Sequence, residues 1–212
     1  MSDDAPSLLS LPLHVREAIL TYVLAVAQPL YLFRDHPSRI EVFAPAKPRQ
    51  WTALLYTNRQ LSRESSAVLY ASNAFALLDQ AEEQTSLLRL FLDRIGPTNS
   101  AALNWLCLDF PLFQRQAGKF EIHHDSLQRV ELIRQHCDGL TTLEFGLNAV
   151  SKRNLEDTLT SGSENAHDVL AELDNAVRTI SSLGTIVARV HGGALHPDIA
   201  RAAQKLGWVV SK

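Results

Sequence analysis

The chain of 212 residues holds only two cysteines, Cys107 and Cys137, and a single methionine. Two thiols cannot build a disulfide framework or a four-cysteine metal site. Neither charge is in excess: 20 Lys and Arg stand against 23 Asp and Glu, a formal net charge of −3. That balance argues against a dominant electrostatic grip on nucleic acid or on an anionic membrane. Long apolar runs are missing as well. The uncharged stretch Ala18–Phe33 is short for a membrane span and is interrupted by Thr21, Gln28 and Pro29, so it reads as a helix followed by a strand. The opening Met1-Ser2-Asp3-Asp4-Ala5-Pro6 is acidic where a secretory leader would be basic, and an intracellular protein, cytoplasmic or nuclear, with reduced thiols is expected. The G-x-S-x-G elbow, the Walker loop, the G-x-G-x-x-G fingerprint and the H-E-x-x-H pair are all absent. The expectation is therefore a non-enzymatic protein without cofactor.

What is present is apolar patterning, in 46% of the residues. Ser10 is placed to cap a first helix that has Pro12 in its first turn and runs to about Leu24. Two stripes recur at helical spacing: Val15, Ala18, Ile19, Tyr22, Val23 and Val26 on one flank, Leu13, Leu20 and Leu24 on another. Such a helix needs cover on both sides, from its own chain or from a partner. Leu30–Phe33 and Arg39–Phe43 read as a hairpin around Asp35-His36-Pro37-Ser38. A second helix is expected over about 50–70, with Trp51, Leu54, Leu55, Leu61, Val68 and Leu69 inward and Arg59, Arg63 and Glu64 toward solvent or at the rim. Asn73 suits a left-handed helix end, and Ala74–Leu78 follows as a strand. A third helix ends at Gly96-Pro97. Beyond it, apolar runs at Trp105–Phe110, Leu143–Leu147, Ile186–Val190 and Trp208–Val210 alternate with helical stretches near 126–137, 165–182 and 196–206. That alternation implies right-handed crossovers and a largely parallel sheet, as in an irregular leucine-rich-repeat array. Ser161-Gly162-Ser163-Glu164 reads as a loop.

Several segments together resemble a known family. Leu11-Pro12-Leu13-His14-Val15-Arg16-Glu17-Ala18-Ile19 is similar to the LP-x-E-[IV]-R-x-x-I opening of F-box-like domains. Leu55-Tyr56-Thr57-Asn58-Arg59-Gln60-Leu61 resembles the L-x-x-[VT]-[NC]-R-Q-[IL] segment of fungal F-box-like proteins. Glu64, Leu69-Tyr70 and Asn73-Ala74-Phe75 continue the likeness, as do Leu92-Asp93-Arg94-Ile95-Gly96-Pro97 and Leu108-Asp109-Phe110. His14 stands where the family carries an acidic residue, and the hairpin interrupts a bundle that is compact in standard F-boxes. The resemblance implies a helical module docking on a Skp1-like adaptor through Leu11, Pro12, Val15, Ile19 and Leu20, followed by a region that selects a target protein.

The remaining candidates for chemistry are sparse. His123-His124-Asp125 is the densest histidine cluster, with Asp125 or Ser126 placed to cap the helix that begins there, and neighbouring imidazoles point apart. His191-Gly192-Gly193 and His196-Pro197-Asp198 follow a strand, where α/β folds often place ligands, so an enzyme with a site near His191 and His196 is the third reading. Cys107 reads as a packed thiol, and Cys137 has no activating neighbour. Asn58 reads as an amide that satisfies buried backbone near the hairpin, or else as a partner contact. Arg34, Arg39, Lys47 and Arg49 read as solvated charge. The expected whole is one continuous α/β unit. Residues 1–7 are a flexible tail, 8–96 an F-box-like helical segment with a hairpin, and 97–212 a strand–helix array. The expected function is protein binding, without nucleic acid or membrane; the alternative is a stand-alone scaffold whose F-box-like helices are internal.

Overall fold

In the computed structural model, which describes residues 7–36, 38–45, 50–78, 83–116, 119–161 and 166–212, the chain opens with a 3-10 turn at Leu8–Ser10 and helix α1 at Leu13–Leu24. The hairpin follows, β1 at Leu30–His36 and β2 at Arg39–Phe43, then a 3-10 turn at Ala53–Tyr56, helix α2 at Arg59–Ser72 and strand β3 at Ala74–Leu77. Helix α3 (Gln84–Ala101), strand β4 (Trp105–Asp109), the hairpin β5 (Phe113–Gln116) and β6 (Lys119–Ile122), and helix α4 (His124–His136) come next. The chain then runs through β7 (Thr142–Leu147), α5 (Ala149–Ser161), α6 (Ala166–Val177), β8 (Thr185–Val190), α7 (Pro197–Lys205) and β9 (Val209–Ser211). Residues 1–6, Pro37, Lys47, Arg49 and the Gly162-Ser163-Glu164 part of the expected loop lie outside the described residues.

The main sheet has the order β2-β1-β3-β4-β7-β8-β9, parallel throughout except for β1 against β2. Every new parallel strand is added on the same side, so the order never reverses. Right-handed crossovers that all run in one direction place their helices on one face. Strand side chains sort accordingly. Leu30, Leu32, Phe75, Leu77, Leu106, Leu108, Leu143, Phe145, Leu147, Ile186, Ala188 and Val190 join the helices in one buried core. The alternate positions belong to none of it. They form ladders across the other face, one of which runs Phe43, Tyr31, Ala76, Cys107, Glu144, Val187, Val209 in register. β3, before the expected 96/97 division, pairs with β4 after it.

Several local expectations change in the structure. Ser10 does not cap α1; its hydroxyl turns back to the Ser7 carbonyl at 2.8 Å, and Pro12 takes the cap position without a side-chain bond. The second helix begins later than periodicity implies, because the Asn58 side chain accepts the Leu61 N–H at 3.0 Å and starts the helix there. Asn58 is exposed, and its amide oxygen serves the first turn of α2 and not the hairpin. Asn73 is extended at φ −120° rather than left-handed. Its buried amide accepts from Val26 N–H at 2.8 Å and donates to the Leu24 and Leu69 carbonyls at 3.1 and 2.8 Å. One side chain thus ties the ends of α1 and α2 together, which satisfies orphaned helix-end groups. Gly96 breaks α3 at φ 77°, where a side chain would be strained, and Pro97 starts a further turn.

The β5–β6 hairpin and α5 carry no apolar period. Among the hairpin side chains that are described, Phe113 and Ile122 are buried hydrophobics, and α5 buries Ser151 and Thr158 beside Leu155. These polar residues are held by structure: the Asn148 side chain accepts the Val150 and Ser151 N–H groups, and Asn154 bonds both backbone groups of Phe113.

α1 packs on α2. Leu20, Leu24 and Leu61 seal the seam, and Arg16 grips Glu64 with Nε at 2.8 Å and Nη2 at 2.7 Å. Glu64, expected at the rim, is half-buried in this bidentate pair. The Arg16 guanidinium holds the Glu64 carboxyl near a pKa of about 2. An unfolded glutamate titrates near 4.3. The pair therefore contributes its stability above that value and loses it as the pH falls through about 2. Urea denaturation of Glu64→Gln should show a shallower fall in stability between pH 5 and pH 2 than the wild type; parallel curves would contradict this.

Candidate functional site

Two surfaces stand out, and neither is a compact catalytic constellation. The first is the outer edge of α1. Of the two stripes read from the sequence, Leu20 and Leu24 are wholly covered by the chain itself. Ala18, Ile19 and Tyr22 face outward with half-buried Val15 beside them, and Tyr22 is 89% exposed. Leu9, Pro12 and Leu13 are also exposed at the helix start, Leu13 on the flank it shares with Leu20 and Leu24. Of the five residues that the resemblance marks for docking, Pro12 and Ile19 are exposed and Leu11 and Val15 half-buried, while Leu20 lies in the α1–α2 seam. Leu20 is thus corrected from a surface to a core residue: it is fully buried on the helix that packs against α2.

The second surface is the bare face of the sheet. A groove of about 460 Å³ opens on it, lined among others by Tyr31, Ala76, Cys107, Asp109, Glu144 and His191. Arg189 on β8 reaches across to Glu144 on β7 with both forks, Nη2 at 2.9 Å and Nε closer still. This bonding raises the Arg189 pKa and keeps the guanidinium charged. Asp109 ends β4 beside Gly146 of β7. Burial raises the pKa of the Asp109 carboxyl, against the lowering influence of Arg129 and His191. Arg129 comes from α4, buried, donating to Gln84 Oε1 at 2.7 Å and Ser126 Oγ at 3.0 Å; Gln84 Oε1 also accepts the Asp109 N–H at 3.0 Å. Cys107 and Cys137 are buried. Burial pushes both thiols up, Cys137 to about 12, which keeps them protonated and poor nucleophiles. Trp105 Nε1 is buried without a hydrogen-bond partner, the Cys107 thiol that it influences lying outside bonding geometry.

The histidines separate. His191 is exposed and lies over Gly146, where an added Cβ would come 3.2 Å from its Nε2. His196 is exposed and caps α7, its Nδ1 accepting the Asp198 N–H at 3.3 Å. His123 occupies the α4 cap position without a side-chain bond; neither Asp125 nor Ser126 caps α4, since Ser126 Oγ serves Arg129 instead. Among the described residues, no group of three or more His, Cys, Asp or Glu could hold a metal ion, and no helix is long and apolar enough to cross a membrane. Arg39, exposed, pairs with Glu41 as expected for solvated charge, whereas Arg34 is half-buried in its pair with Glu83. The groove residues Asp109, Glu144 and Arg189 were not singled out in the sequence. A signal was there: each is the one charged member of its strand, at an alternate position, which marks one wet face. Compared with protein-family models, with curated proteins and with solved structures, the chain matches none.

Proposed function

We propose that this is a non-enzymatic protein-binding protein, F-box-like in its N-terminal part. The outer edge of α1 docks on a Skp1-like adaptor, and the bare sheet face with its strand-end loops selects a target protein. One observation carries the reading: the Val15–Ala18–Ile19–Tyr22 edge turns outward while Leu20 and Leu24 turn inward. A large exposed apolar edge on a helix already anchored on its other side is the form an interaction surface takes. The array from β3 to β9 adds parallel strands along one direction, which supports an irregular leucine-rich-repeat-like reading of the C-terminal half.

The test is co-purification with a Skp1-like adaptor at micromolar concentration, for the wild type and for Ile19→Asp and Tyr22→Asp. Both substitutions fall on exposed positions and are expected to leave the fold intact. A complex with the wild type that weakens at least tenfold in the variants supports docking through α1. No complex, or one indifferent to both substitutions, rejects it and leaves the stand-alone scaffold.

A further inference from the structure

The bare sheet face carries one carboxylate without a direct hydrogen bond or ion pair. The Asp109 side chain has no hydrogen bond or ion pair with any described residue. The other charges of the groove are settled: Arg189 cancels Glu144. Behind the strand, Arg129 acts first on Asp109 and second on Asp125, and His191 also bears on Asp109, but neither forms a hydrogen bond or an ion pair with its carboxylate. A partly buried anion left in this state favours a cation brought to it from outside. The floor beside it is apolar or weakly polar, with Ala76 and Cys107 between Asp109 and the rings of Tyr31 and Trp105. Trp105 and Asp109 lie four residues apart on the same strand face, about 13 Å at the rise of a β-strand.

We propose that this groove takes the basic side chain, lysine or arginine, of a partner protein segment laid across the strands. The cationic head meets Asp109 and the alkyl stem lies over Ala76 and Cys107. A long charged side chain is suited to such a floor because its stem is apolar and only its tip is charged. The occupant is a protein segment rather than a small amine because exposed apolar side chains stand beyond the groove on both sides. Phe43 and Val209, both at least half exposed, stand at the two ends of the same ladder. Seven strands at the usual spacing put them roughly 29 Å apart, the reach of about nine extended residues. The inference deepens the target-binding half of the proposed function and is independent of docking through α1.

The test uses the full chain and fluorescent nine-residue peptides whose central residue is lysine, arginine or norleucine, the other positions being mixed uncharged residues. Binding is read by fluorescence anisotropy in low salt. The lysine and arginine peptides are expected to bind at least tenfold more tightly than the norleucine set, and Asp109→Asn is expected to remove that preference. Equal binding of lysine and norleucine sets to the wild type overturns the proposal without recourse to any variant. So does a preference that survives in Asp109→Asn, or n-pentylamine competing as strongly as the lysine peptides. Tyr22→Asp is expected to keep the peptide preference. Loss of the preference with adaptor binding intact therefore sinks this inference alone, and the converse sinks only the docking of α1.

Discussion

Leu20→Asp is expected to lose about 5 kcal/mol of stability or more, enough to leave much of the protein unfolded at 25 °C. Leu20 is completely buried between α1 and α2. Removing a buried leucine side chain costs about 2–5 kcal/mol by itself, and a carboxylate without a partner adds several more in such a site. The total rivals the whole stability of an ordinary domain, about 5–15 kcal/mol. Tyr22→Asp, two positions on, should change stability by no more than about 0.5 kcal/mol, as exposed substitutions do. Urea titrations of the two variants check this. A folded Leu20→Asp protein with an unshifted midpoint would mean that α1 does not sit on α2 as described. The contrast matters for function, since only the outward residues can report on docking.

Trp208→Ala carries the second large effect, about 3–5 kcal/mol. The indole is 3% exposed and packs within 6.1 Å of the Phe145 ring and 6.5 Å of the Phe110 ring. Its N–H donates to Asp174 Oδ1 at 2.7 Å. Asp174 keeps Arg178, whose Nε lies 2.9 and 3.0 Å from its two oxygens, so the carboxylate is not abandoned when the ring goes. Trp208→Phe keeps an aromatic ring and forfeits chiefly the hydrogen bond, about 1.5–3 kcal/mol for a bond to a charged group. Thermal denaturation should therefore rank wild type, Trp208→Phe and Trp208→Ala in descending order. Equal losses for the two variants would show that the hydrogen bond, and not the packing, holds the end of the chain.

The parts legible in the sequence were those with a local apolar period. The strands at 105–109, 142–147 and 185–190 and the hairpin at 30–43 follow their hydrophobic runs closely. Where burial is made by polar side chains, the pattern was silent. α5 turns Ser151 and Thr158 inward, and the 113–122 hairpin has its edge tied by Asn154. The asparagines were misjudged for a related reason: Asn58 and Asn73 take their roles from backbone groups, and those of Val26 and Leu24 lie nearly 50 positions away from Asn73. The docking edge was half legible. Two stripes on α1 could be counted, but nothing local says which one α2 will cover.

By itself the sequence determined an α/β chain with a largely parallel sheet, two inert thiols and an opening helix with more apolar surface than one neighbour can hide. These follow from residue types and short-range spacing, which act within a turn or a strand. Only the tertiary structure decided that Leu20 and Leu24 are the covered stripe. It alone brought Asp109, Glu144 and Arg189 onto one bare face and left Asp109 without an ion pair. Those outcomes depend on strand order and helix placement, set by contacts between residues dozens of positions apart, where the spacing along the chain carries no information.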